Sequence, residues 1–265
     1  MIVDYHMHLR DPEEQLSFSV ESVERFVETA AARGVDEIGF TEHVYYFRET
    51  RSLWTVPYHV ERCAYDLSDY VTAVEDAKAQ GLPVKLGIEV DYVRGREEET
   101  HDLLAPYPWD FVLGSVHFVD GLGIDGKPRL LDEVGVDETW RRYFDELAAG
   151  ARSGIFDSLA HPDVVKIWGV RPEAIEYGPL LNALDGVCLE VSTAGLRKPV
   201  GELYPDPELL RAAHARGAPI TLASDAHVPS LVGEDFDQAL ELARSAGYST
   251  VTVFEGRHGR QEPLG

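Results

Sequence analysis

The chain has 265 residues, 44% of them hydrophobic, enough to bury a sizeable core, and 27% charged residues is ordinary globular usage rather than disorder. A formal net charge of -23 repels polyanions, and no cluster of Lys and Arg offsets it, so nucleic acid is a poor candidate partner. Cys63 and Cys188 stand far apart without CxxC spacing, which argues against a disulfide scaffold, and no apolar run reaches the roughly 18 residues of a membrane span. With no leader ahead of the first apolar run, the chain reads as soluble and cytoplasmic.

Short apolar runs alternate with amphipathic segments from one end to the other. Ile2–Tyr5 predicts a first strand, and His6 and His8 follow it two residues apart, so that on extended backbone both imidazoles point the same way. Val20–Arg33 predicts a helix with Val20, Val23, Phe26, Val27 and Ala30 on one face and Gly34 as its stop. Glu37–Thr41 is a second strand leading into Thr41-Glu42-His43, and the stretch from Val44 to Leu67, rich in Tyr, Trp and Arg, is long enough for a lid. Ser68 is expected to cap a helix through Gln80, with Val71 and Val74 facing inward. Val84–Glu89 predicts a strand closed by Glu89, and Phe111–Val116 one followed by His117. Asp137 is expected to cap a helix carrying Trp140, Phe144, Leu147 and Ala151. Phe156–Ala160 ends beside His161, and Val187–Val191 precedes a long polar loop. Asp206-Pro207 forms a cap with proline in the first turn, and Gly217 closes that helix. Ile220–Ala223 leads to Asp225 and His227, and Thr250–Phe254 is the last strand candidate. No linker or repeat interrupts this order, which predicts one domain over 1–265 built from βαβ units around a parallel sheet.

Six of the ten histidines lie at or just past a predicted strand end: His6, His8, His43, His117, His161 and His227. In a closed barrel those ends converge on one rim, whereas an open sheet would scatter them along a crevice. Crowded imidazoles and carboxylates are resolved by metal ions, because neutral imidazole and carboxylate ligate Zn, Fe and Mn alike. With Glu89 and Asp225 the set reaches eight side chains, too many for one tetrahedral ion, so two or three divalent ions are expected. Glu89 is the candidate bridging carboxylate, and water held between two such ions becomes a hydroxide nucleophile near neutral pH. His59, His101, His214 and His258 fall in helical or loop segments, and His101 and His214 read as helix-surface residues.

The segments Asp4-Tyr5-His6-Met7-His8, Thr41-Glu42-His43, Gly87-Ile88-Glu89, Gly114-Ser115-Val116-His117-Phe118, Ala160-His161-Pro162 and Ser224-Asp225-Ala226-His227 resemble, in order, the motifs of the PHP family. That resemblance implies a distorted (β/α)7, TIM-like barrel with a trinuclear metal site at the C-terminal rim of the strands, and leaves Thr250–Phe254 outside the barrel. The run Ser192–Pro205, with Asp120-Gly121 after Phe118, is most similar to the monofunctional histidinol-phosphate phosphatases of that family. It implies hydrolysis of L-histidinol phosphate, a small phosphomonoester, in histidine biosynthesis. Arg197 then offers a planar fork suited to two phosphate oxygens, while the neighbouring Lys198 reads as solvated. Glu89 and Asp225 are the expected catalytic carboxylates, and the proton donor to the leaving alkoxide is left among Asp225, Asp163 and Glu42. Asp91, Tyr92, Trp54, Tyr58 and Asp120 are candidates for meeting the substrate's amine and imidazole. Alternatives are a PHP phosphoesterase acting on nucleotides or phosphotyrosine, a metal-dependent amidohydrolase, and a non-catalytic PHP module. The amidohydrolase fits poorly because the fourth strand ends in His117 rather than Lys or Glu, and the module fits poorly because all eight ligand positions are filled.

Overall fold

The computed structural model describes residues 1–11, 13 and 15–265. The chain opens with β1 (Val3–Asp4) and α1 (Val20–Ala32), then β2 (Glu37–Phe40), α2 (Pro57–Val60), α3 (Leu67–Ala79), β3 (Val84–Asp91), α4 (Glu97–Leu104) and β4 (Phe111–Ser115). A small hairpin of β5 (Phe118–Val119) and β6 (Leu122–Gly123) follows, then α5 (Arg129–Val134), α6 (Val136–Arg152), β7 (Ser158–Leu159), α7 (Gly178–Leu181) and β8 (Cys188–Ser192). The chain ends with α8 (Pro207–Ala215), β9 (Ile220–Ala223), α9 (Phe236–Ala246) and a hairpin of β10 (Thr250–Glu255) and β11 (His258–Pro263).

Seven strands form one parallel sheet in the order β1-β2-β3-β4-β7-β8-β9. The two edges then meet: Tyr5 N–H donates to the Leu222 carbonyl at 3.0 Å and His8 N–H to Ala226 at 2.8 Å, so the sheet curls into a nearly closed barrel. Burial on both faces explains why these strands read as unbroken apolar runs instead of alternating ones. Two glycines make the closure possible. A Cβ at Gly39 or Gly87 would come within 2.7 or 2.6 Å of the Phe111 ring, which fills the barrel interior. The last strand candidate does lie outside the barrel, since β10 pairs antiparallel with β11. Its Phe254 stacks on Phe111 at 5.3 Å, and Arg257 bonds the Asp110 carbonyl and the Asp157 carboxylate, so this hairpin closes the N-terminal end of the barrel.

Helix starts depart from expectation where backbone geometry overrides side-chain preference. The helix predicted to be capped by Ser68 begins earlier, with Asp66 in the cap position and no side-chain cap bond. The helix assigned to Asp137 starts from Gly135, whose φ of 82° is one that glycine adopts without cost. Asp206 caps as expected, its carboxylate accepting from the Glu208 N–H. Along α1, Val23, Phe26 and Ala30 are buried, while Val20 and Val27 are only half-buried. The Asp120-Gly121 pair makes the two-residue turn between β5 and β6, with φ of 53° and 78° as a twist-matched hairpin requires. Among the described residues, no helix is long and apolar enough to cross a membrane.

Candidate metal centre

The C-terminal strand ends gather the predicted ligands around one carboxylate. Glu89, near the end of β3, is 1% exposed, and five imidazoles lie within 4 Å of its oxygens. On Oε2, His43 Nδ1 approaches to 2.6 Å, His6 Nε2 to 3.5 Å and His8 Nε2 to 3.9 Å. On Oε1, His161 Nε2 stands at 3.4 Å and His117 Nε2 at 3.6 Å. Asp225 completes the other side, its Oδ1 3.4 Å from His8 Nε2 and 3.7 Å from His6 Nε2. His227, the most exposed of the eight, lays its ring 4.2 Å from that of His8. Within this cluster, His6-Glu89-His161, His6-His8-Asp225 and His8-His43-His227 each bring three donor atoms within 4.8 Å of one another.

The chemistry of the set suits divalent cations. His6 Nε2, His8 Nε2 and Glu89 Oε1 are fully buried without a hydrogen-bond partner, a costly arrangement for polar atoms unless a cation takes their lone pairs. Burial alone would favour neutral His6, but the carboxylates of Glu190, Glu89 and Asp225 outweigh it and favour positive charge there. The same field would favour a metal in place of that proton. For Glu89, burial pushes the carboxyl up, yet the imidazoles of His43, His117 and His6 hold it well below its ordinary range, so it stays anionic. His43 is depressed by burial and by neighbouring His8, which keeps its lone pair available.

An outer layer fixes the rings. His6 Nδ1 lies 2.9 Å from Glu190 Oε1, and the His161 N–H donates to Glu190 Oε2 at 2.9 Å. Glu42 lies 3.3 Å from His8 Nδ1 and accepts the Arg10 and His43 backbone N–H groups. Asp91 takes both His117 Nδ1 at 2.8 Å and the His117 N–H at 3.1 Å. Such partners set the tautomer and aim the free nitrogen at the metal. Two of the clustered side chains also sit on left-handed backbone, His161 at φ 27° and Asp225 at φ 53°, conformations that non-glycine residues hold only where the surroundings enforce them. Glu190 does so for His161. Beside Asp225, Asp4 accepts the Ser224 N–H at 2.8 Å and Arg197 donates to the Ser224 carbonyl.

Above the cluster lies a cavity of about 470 Å³ floored by His43, His117, His161, Asp225 and His227. One wall is aromatic, with Tyr45, Tyr46, Tyr58 and Phe118; the lining also carries Lys127, Arg129, Lys198 and Asp125. Arg197 itself is turned away from this lining, its guanidinium engaging Ser224 and lying 3.4 Å from Glu234. Lys198, read from sequence as solvated, is exposed and also lines the cavity. Of the three candidate proton donors, only Asp225 lines the cavity. Glu42 is committed to His8 and backbone amides, and Asp163 pairs with Lys166 at 2.9 Å while accepting the Asp206 N–H. Among the residues considered for the amine and imidazole, Tyr58 lines the cavity, Trp54 lies buried behind it, and Asp91 is spent on His117. Tyr92 bonds Glu97 and Asp120 pairs with Arg142, so neither enters. His101 and His214 are exposed on helices as expected, Arg257 sits at the opposite end of the barrel, and His258 is exposed on β11. Glu190, Asp125, Lys127 and Arg129 lie in this region without any strand-end signal in the sequence, and His59, which falls in a helical segment, is buried here too.

The model of the PHP domain matches residues 4–194. A protein of Deinococcus radiodurans described as a probable histidinol-phosphatase is 35% identical over 249 residues, covering 90% of this chain and 91% of its own. A histidinol-phosphatase of Lactococcus lactis is 24% identical, with 96% and 94% covered. Among solved structures, the histidinol phosphate phosphatase of Lactococcus lactis in complex with Zn, L-histidinol and phosphate superposes with a TM-score of 0.72 at 23% identity, covering 98% of both chains. A Listeria monocytogenes protein described as a putative histidinol phosphatase gives 0.74 at 23% identity, over 89% of this chain and 99% of that one.

Proposed function

The chain belongs to the PHP family, and from that premise we propose that it is a metal-dependent phosphomonoesterase that hydrolyses L-histidinol phosphate to L-histidinol and phosphate in histidine biosynthesis. The observation that carries the hydrolase reading is the convergence of His6, His8, His43, Glu89, His117, His161, Asp225 and His227 beneath a cavity that also bears three cations. Similarity to histidinol-phosphatases along nearly the whole chain supports the choice of substrate, and residues 1–265 are read as one domain.

The eight side chains would hold two or three divalent ions, with Zn, Fe and Mn all compatible with mixed imidazole and carboxylate donors. Bound ions supply Lewis-acid stabilisation of a phosphoryl group and acidify water so that it can act as nucleophile. The chain's own contribution is positional. Glu89, anionic and central, keeps five imidazoles turned toward one point. Lys198, and Arg197 anchored behind it on Ser224, are assigned to the phosphate side, where their charge would oppose that developing on the phosphoryl oxygens. Asp225 alone of the three candidate acids faces the cavity, but although burial pushes its carboxyl up, the imidazoles of His6, His8 and His227 hold it well below its ordinary range. It is therefore assigned as an anionic ligand and proton acceptor, and the leaving alkoxide would take its proton from water in the cavity. The aromatic wall would take the substrate's ring and exclude water from it.

The test is phosphate release from L-histidinol phosphate, nucleoside monophosphates and phosphotyrosine side by side, each with native, chelated and metal-restored protein. Rapid turnover of L-histidinol phosphate alone, abolished by chelation and recovered with metal, is expected. Preference for a nucleotide or an aryl phosphate would keep the centre and replace the substrate. No phosphoester turnover with metal restored would overturn the reading.

A further inference from the structure

His59 lies behind the aromatic wall, not on it. It belongs to α2, is 3% exposed, and neither ring nitrogen has a hydrogen-bond partner at bonding distance. Leaving a buried polar group unpaired forfeits its hydration with nothing in return, so an imidazole in such a place needs a reason. Its nearest polar neighbour is Asp91 Oδ2, 3.6 Å from Nε2. The other oxygen of Asp91 is the one that holds His117 through both its ring and its backbone N–H. His59 is otherwise enclosed by rings: Phe118 at 4.4 Å, Trp54 at 4.7 Å, Tyr45 at 5.0 Å and Tyr58 at 5.5 Å. Three of those four rings form the cavity wall.

We infer that His59 is a positioning residue that couples the aromatic wall of the cavity to the metal-ligating His117 through Asp91. A shift of a few tenths of an ångström toward Asp91 converts the 3.6 Å approach into a hydrogen bond, since N–H···O bonds span about 2.7–3.2 Å. A planar group seated against Tyr45, Tyr58 and Phe118 presses on the rings that enclose His59. The carboxylate of Asp91 then carries that contact to the Nδ1 of His117 and so to the aim of its Nε2 at Glu89. Recognition of the ring end of the substrate and alignment of the reacting end thereby share one chain of contacts. The inference rests on the phosphatase reading for its kinetic consequence, but its effect on metal binding does not.

Two variants test it. His59→Phe keeps the aromatic volume and removes the donor; His59→Gln keeps a donor toward Asp91. For His59→Phe, metal affinity measured by chelator competition should fall about 10-fold, the lower end of the range for an outer partner of a metal-binding histidine, and His59→Gln should recover most of it. On L-histidinol phosphate, kcat of His59→Phe should fall about as much while KM changes little, because the substrate-facing rings are unchanged. Metal affinity and kcat of His59→Phe equal to wild type would overturn the inference, as would His59→Gln behaving no better than a folded His59→Phe. If His59→Phe fails to fold, near-wild-type metal affinity in His59→Gln against a loss in His59→Ala supports the donor role, and equal affinities overturn it. Should the wild type not hydrolyse L-histidinol phosphate at all, the substrate assignment fails and the metal measurement still decides the role of His59.

Discussion

At the level of one residue, the buried carboxylate of Glu190 acts on the clustered imidazoles from behind. Its two oxygens serve two donors, the His6 ring and the His161 backbone, and it is fully buried. Glutamine in its place has one acceptor oxygen, so one of those N–H groups would be left facing an amide nitrogen. Glu190→Gln should therefore weaken metal affinity by about 10- to 100-fold, read by chelator competition, while the folded protein remains. Unchanged affinity would mean that the ring of His6 is aimed by something else. The clustering of the proposed ligands is legible because HxH and DxH spacing and strand-end placement are sequence properties. Glu190 was in plain view within the predicted strand Val187–Val191, but which strand neighbours across the barrel become its partners is decided by closure. The two thiols give a separate check. Burial pushes Cys188 up to about 12, with its Sγ 3.3 Å from Thr252, whereas Cys63, also raised by burial, is only half-buried and stays within reach of solvent. A raised thiol stays protonated and unreactive, so at pH 8 a disulfide reagent should label Cys63 first and reach Cys188 only on unfolding. Labelling of Cys188 at the native rate of Cys63 would contradict its packing.

At the level of elements, strand positions were readable and their ends were not. Continuous apolar runs located every barrel strand, yet β7 is only Ser158–Leu159 where Phe156–Ala160 was expected, because Phe156 turns in to fill space left by a glycine on β4. A Cβ at Gly114 would meet Phe156 at 2.4 Å, and the ring is buried on all sides. Overpacking of this kind costs about 1–3 kcal/mol, so Gly114→Ala should lower the midpoint of thermal unfolding, and Phe156→Leu added to it should restore part of the loss. Independent, additive losses in the double variant would show that the two sites do not share the space. Two of the three expected caps, Ser68 and Asp137, are displaced for a related reason, while Asp206 holds. Ser68 and Asp137 have the right chemistry, but Asp66 and Gly135 are where the incoming backbone takes its turn, and the preceding loops set that.

Over the whole molecule, the proposed ligands come from the ends of β1, β2, β3, β4, β7 and β9, six of the seven barrel strands. An ion held by them binds the folded chain and not the unfolded one, so it stabilises the fold by mass action, about 2.7 kcal/mol at a hundredfold excess over its dissociation constant. At roughly 2–4 °C per kcal/mol for a protein near this size, chelation should lower the unfolding midpoint by about 5–10 °C and metal should restore it. A net charge of -23 supplies a second route, because cations screening an acidic surface also relieve self-repulsion. The two routes separate cleanly. Surface screening depends on ionic strength and survives any single substitution, whereas the centre depends on Glu89, on which five imidazoles converge. At fixed ionic strength, Glu89→Gln should lose most of the metal-dependent shift and keep the salt-dependent one. A shift that persists undiminished in Glu89→Gln would place the stabilising ions on the acidic surface and remove the thermodynamic support for a metal-built core.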